Sequence, residues 1–247
     1  MLKYLKLLLI SCIFFPNSGY SLTSSSYLIT NAAISSFDYE TASKYYNKDE
    51  LDFFNYHELR KKLISLINSN VLLDTKIIAE QLVNLDESNE DAWLVLLSIA
   101  KLQKNVAFLE KFKIVKKKHN FEIIDYIFYS ENQIINNNEI IAENFFNLLQ
   151  MTNTSQIINN KSIDYYLFYL NLSLNFKPNY IEALFIKGQI YKELKFFLKA
   201  EKIFKKIEPH QSLYLEAQKN IILIKKEIYE FTKAEQILFN LIDKYPQ

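Results

Sequence analysis

The side chains best suited to chemistry are few and scattered. The three histidines, His57, His119 and His210, lie far apart. None belongs to an HExxH pair or faces a carboxylate at metal-ligand spacing. The single cysteine, Cys12, cannot form an internal disulfide or a thiolate metal site. A serine nucleophile on a strained elbow needs glycines around it, and the chain holds only Gly19 and Gly188. The carboxylate pairs Glu50/Asp52 and Glu90/Asp91 fall at expected helix starts, where they meet the positive end of the dipole. The residues therefore point away from an enzyme, and to no metal and no cofactor. The densest charge run is Lys111, Lys113, Lys116, Lys117, Lys118 and His119. It is read as a solvated helix end, with a weak patch for an anionic partner as the alternative. With 29 Lys+Arg against 28 Asp+Glu the net charge is +1, so no broad basic field exists to hold nucleic acid.

The elements that carry these residues read as all-helical. Two glycines in 247 residues exclude folds built on glycine turns, among them dinucleotide cradles and hairpin-rich sheets. Apolar residues make up 49%, enough for a core, and they recur at i, i+3, i+4 and i+7. About 12–13 helices are expected, among them 26–35, 38–47, 50–68, 72–85, 121–135, 138–150, 162–176 and 211–229. No clean strand alternation is found. Residues 151–161, polar and out of phase, are expected to form a loop.

The N-terminus has the grammar of an export signal. Lys3 and Lys6 precede the apolar run Leu7–Phe15, and Pro16 is followed by small residues. Cleavage is expected between Ser21 and Leu22, giving a signal over 1–21 and a mature chain over 22–247. The run is too short to span a bilayer. Leu9-Ile10-Ser11-Cys12 also resembles a lipobox, so lipidation at Cys12 and membrane anchoring stand as the alternative.

A repeat organises the rest. Ala200 returns as Ala234, Phe204 as Leu238 and Ile207 as Leu241, each 34 residues on, and Pro178 and Pro246 are two periods apart. Leu184, Gly188, Tyr191, Ala200, Phe204 and the proline turn resemble the tetratricopeptide repeat. Ala42 and Tyr46 would hold the small and large positions of an earlier repeat. Asn89 and Asp91 would cap another, opened by Trp93. Lys187 and Ile222 depart from the pattern. The likeness is strongest over 162–247 and degenerate over 23–150. Export signal plus repeats resembles secreted alphaproteobacterial tetratricopeptide-repeat proteins. The resemblance implies a right-handed α-solenoid of stacked antiparallel helix pairs, with Gly188 facing Ala200 and first helices lining a concave groove.

By that analogy Glu182, Phe185, Gln189 and Lys192 face the groove in one repeat, and Lys219, Leu223 and Lys226 in the next. The mixed surface fits a peptide segment or a partner helix. The expected role is a non-catalytic scaffold of the periplasm or cell envelope with a protein or peptide partner. The alternatives are a lipid-anchored subunit of an outer-membrane or secretion assembly, and the N-terminal solenoid of a longer cell-wall enzyme.

Overall fold

The structure, a computed structural model, describes residues 18–45, 56–131, 133–151 and 160–245. Cys12, the apolar run before Pro16, Tyr46, Glu50, Asp52 and Pro246 lie outside these residues, as does most of the expected loop. The chain divides into two compact units, residues 1–86 and 87–247.

The first unit holds α1 (Ser18–Ser35), α2 (Tyr39–Tyr45), α3 (Tyr56–Asn68) and α4 (Lys76–Leu85), with one 3-10 turn at Leu73–Thr75. Each helix packs on the next. Leu59, Leu63, Ile67, Ile78 and Leu82 close the core of α3 and α4 at the helical spacing that the sequence displays. Helix α1 starts eight residues before the expected 26 and runs through the expected cleavage point between Ser21 and Leu22.

The second unit holds α5 (Glu90–Leu102), α6 (Val106–Lys116), α7 (Glu122–Phe128), α8 (Asn138–Met151), α9 (Asn160–Phe176), α10 (Ile181–Glu193), α11 (Phe197–Phe204), α12 (Tyr214–Glu227) and α13 (Phe231–Lys244). Helix α5 packs with α6, and from α7 onward each helix packs with the next, most extensively α8 with α9 and α10 with α11. Helix α10 also touches α12, and α5 touches α7 and α9. Phe128, Phe145 and Phe176 form the aromatic centre, with Phe145 edge-on to Phe128 and stacked on Phe176 at 6.1 Å.

One expectation is corrected here. The helix expected over 121–135 stops at Phe128, and Tyr129–Ser130 pairs antiparallel with Gln133–Ile134. Glu131 in that turn has φ 49°, a conformation that ends any helix. The apolar spacing continues past the stop, so periodicity alone could not locate it.

Five helix–helix corners share one backbone device. Phe37, Asn70, Lys104, Lys195 and Tyr229 each have φ between 55° and 63°. Each donates its N–H to the carbonyl three residues back, and the following residue donates to the carbonyl five back, at 2.7–3.1 Å. This is the left-handed helix cap that normally selects glycine. Four intervals follow from these positions: 33, 34, 91 and 34 residues. Five residues beyond each corner stands a buried side chain: Ala42, Thr75, Leu109, Ala200 and Ala234. At Ala42, Ala200 and Ala234 the small side chain sits in the first turns of the second helix, where the partner helix comes close.

Gly188 serves a second close approach. A Cβ there would stand 2.6 Å from the ring of Phe204. The expected partner was Ala200; the nearest atoms belong instead to Phe204, which is fully buried and edge-on to Phe185. Thirty-four residues on, the same two places are held by Ile222 and Leu238, a large residue in place of the glycine and a smaller one in place of the ring.

A non-glycine residue at positive φ is strained by its Cβ, by roughly 1–2 kcal/mol. Lys195 is exposed and its side chain packs no core. Lys195→Gly should therefore raise the unfolding free energy by about 0.5–1 kcal/mol, after the extra freedom glycine gives the unfolded chain. Urea denaturation checks this. Lys195→Ala, which keeps the Cβ, should show no such gain.

Candidate functional site

Helices α10 and α12 are the first members of two successive pairs, and they touch. The seven residues expected in a groove lie on these two helices. Glu182, Lys219, Leu223 and Lys226 are exposed, whereas Phe185, Gln189 and Lys192 are half-buried. Leu223 leaves 51% of its surface open and lies between Lys219 and Lys226 at the spacing that puts all three on one helical face. The result is one exposed apolar side chain with a cation about one turn to either side.

Two of the expected groove residues are engaged in holding the helices together. Phe185 packs edge-on against Phe204 at 5.7 Å. Lys192 donates from Nζ to Oδ1 of Asn220 at 2.8 Å, and the Asn220 amide in turn donates to the Glu216 carbonyl. Asn220 is buried, so this bond fixes α12 against α10 with its polar groups satisfied. The sequence reading missed Asn220, because an asparagine in an Asn-rich chain carries no mark of burial.

Other polar residues inside the fold also join successive pairs. Lys187, placed where an apolar residue is usual, is buried and donates to Oδ1 of buried Asn171 on α9. Lys225 of α12 reaches Glu201 of α11 at 2.8 Å and Glu230, ahead of α13, at 2.7 Å. Lys205 adds to Glu201 and Lys233 to Glu230, each at 2.7 Å. Five charges thus run across three helices. Hydrogen bonds from Lys225 and Lys233 pull the Glu230 carboxyl down to about 2. Burial pushes Glu201 upward, but bonds from Lys205 and Lys225 outweigh it and hold the carboxyl below its ordinary range.

The lysine run resolves into structural contacts. Lys113 pairs with Glu110 on its own helix. Lys116 pairs with Asp125 at 2.6 Å and lies over the Tyr129 ring at 3.9 Å. Lys118 and His119 both meet Glu87, at 3.3 and 3.0 Å. Their bonds, His119 first, lower the Glu87 carboxyl. Lys116, Lys118 and His119 tie the end of α6 to α7 and to the segment before α5, while Lys111 and Lys117 are exposed.

The remaining chemistry-bearing residues are likewise placed. Glu90 Oε1 accepts from the N–H groups of Ile123 and Ile124, closing the start of α7. Asp91 lies inside α5 rather than capping it, and accepts from the Tyr165 hydroxyl at 3.2 Å. The cap is Asn89, which accepts from Ala92 N–H. Trp93 packs on Phe112 at 5.0 Å, and its Nε1 donates to the Glu87 carbonyl. His57 and His210 are exposed. Ala42, Leu184, Tyr191, Ala200, Phe204 and Ala234 are buried, and Pro178 stands in the turn between α9 and α10. Among the described residues, no three His, Cys, Asp or Glu side chains gather to hold a metal ion. No helix there is long and apolar enough to cross a membrane.

Comparison of the chain with models of known protein families, with curated proteins and with solved structures found no match.

The charge network has a pH signature. A carboxyl whose folded pKa is depressed adds stability that is present above its unfolded value, near 4.3, and is lost as pH falls through the folded value. For Glu230 that window runs from there down to about 2. Glu230→Gln should be less stable than the parent at pH 6, and the two should converge as the pH approaches 2. Urea midpoints measured across that range read this directly. A difference independent of pH would show that the ion pairs are not its source.

Proposed function

We propose that this chain is a non-catalytic binding scaffold of the tetratricopeptide-repeat type, a right-handed α-solenoid exported to the periplasm or cell envelope. On this reading a peptide segment or helix of a partner protein lies along the face shared by α10 and α12. The observation that carries the reading is Leu223, half-exposed between Lys219 and Lys226. An apolar side chain flanked by cations matches a segment with an apolar anchor and acidic residues on either side. Lys192 and Phe185 support the site from below, through Asn220 and Phe204. The Lys192–Asn220 bond fixes α12 against α10, and Phe185 on Phe204 fixes α10 against α11, which lowers the ordering cost of binding. Export is supported by the basic, apolar and small-residue order of residues 1–21.

The test is selection of peptides from a displayed library on the purified chain. Enriched peptides should carry an apolar residue between acids. Leu223→Glu should weaken their binding about tenfold or more, and Lys202→Glu, on the exposed side of α11, should leave it unchanged. Equal effects of the two substitutions would exclude this face. Intact mass of the chain from its native cells tests export, with a start near Leu22 expected.

A further inference from the structure

The outer side of α11 carries charge of one sign that the fold does not call for. The exposed residues between 195 and 206 are Lys195, Leu198, Lys202, Lys205 and Lys206, four lysines around one leucine. They recur at i, i+3, i+7, i+10 and i+11 and so share one side. Buried Ala200, Phe204 and Ile207 lie opposite. Glu201, the one acid in the stretch, is buried and holds Lys205 at 2.7 Å. Among the described residues no acid holds Lys195, Lys202 or Lys206. Thirty-four residues on, the same five places are Tyr229, Thr232, Gln236, Phe239 and Asn240, all exposed and none charged. These positions call for exposure but not for lysine. The helix dipole favours cations at the end of α11, yet Lys195 and Lys199 stand at its start, where the dipole opposes them. Leu198 leaves 76% of its surface open in the middle of this field.

We propose that the outer face of α11 seats the chain on an anionic lipid bilayer, with Leu198 entering the surface and the lysines lying among the headgroups. The face is separate from the peptide site on α10 and α12. Charge complementarity selects the occupant. Each lysine brought to an anionic bilayer strengthens attachment about fivefold, and lysine stems can lie along the apolar layer with their ammonium groups outside it. An acidic protein is the poorer match. A stable protein interface covers about 800 Å² on each partner and centres on a packed apolar cluster. One leucine on a helix of 8 residues offers neither. A bilayer needs no pocket and accepts an isolated apolar side chain ringed by cations.

The probe is vesicles of phosphatidylcholine with about one third phosphatidylglycerol, with pure phosphatidylcholine as the reference. An environment-sensitive fluorophore is attached to the full chain at Leu198→Cys, with Cys12→Ser to leave a single thiol. Its emission should move to the blue on the anionic vesicles and not on the neutral ones, and the change should fade as salt is raised. Reading position 198 separates docking by α11 from attachment through the apolar residues 7–15. Lys202→Glu combined with Lys206→Glu should weaken the response about tenfold or more. Both residues are exposed, so the variant folds, which circular dichroism verifies. The proposal is overturned by a label that stays in water on anionic vesicles, by an equal response to neutral ones, or by indifference to the two substitutions. It is equally overturned if soluble polyglutamate binds this face and anionic vesicles do not, which would assign the face to an acidic protein.

Discussion

The left-handed corner between paired helices is the constraint on which the rest depends. One residue at positive φ reverses the chain, and the two bonds around it satisfy carbonyls that a helix end leaves open. Reversal brings the second helix back along the first, and the buried residue five positions on lies where they meet. In three of the five corners that residue is alanine, which lets the backbones approach. A chain with two glycines cannot use the residue that suits this conformation best. Phe37, Asn70, Lys104, Lys195 and Tyr229 adopt it under strain, and packing of the two helices holds them there.

Between pairs a different interaction takes over. Lys187 with Asn171, Lys192 with Asn220, and Lys225 with Glu201 each link a helix to the following pair through a directed polar bond. Apolar burial brings helices together without fixing their register. A buried or half-buried cation that must find one acceptor does fix it, because a slip of one turn leaves the charge unpaired at high cost. These lysines also take side chains away from any ligand. The surface left for binding on α10 and α12 is narrower than the seven expected residues, and centres on Leu223.

The helices were legible in the sequence because their apolar spacing is regular, and the 34-residue return of Ala200 as Ala234 is visible by inspection. The corners were not legible as such. Left-handed residues normally announce themselves as glycine, and here they are Phe, Asn, Lys, Lys and Tyr, with no type in common. The corner at Asn70 carries no such mark in the sequence, because Thr75 takes the place alanine holds at three of the others. The ladder at Tyr129–Ile134 was hidden by an apolar pattern that continues through it. At the candidate site, Leu223 and the flanking lysines were expected only through the likeness to the repeat, and they are exposed. The recruitment of Lys192 and Phe185 into the fold depends on Asn220 and Phe204, residues distant in sequence, and no local spacing encodes that.

The central claim is that residues between successive corners form one removable structural unit. Stacked pairs make mainly nearest-neighbour contacts, so loss of a whole period leaves the remaining interfaces in phase. The direct measurement is urea unfolding, followed by circular dichroism, of the chain lacking residues 196–229. This deletion of one 34-residue period joins Lys195 to Glu230 and pairs α10 with α13. The account predicts a folded protein of lower stability that unfolds cooperatively and keeps its helical signal per residue. A chain that fails to fold would contradict it, because removal of an interior segment is lethal only where the core is shared rather than repeated.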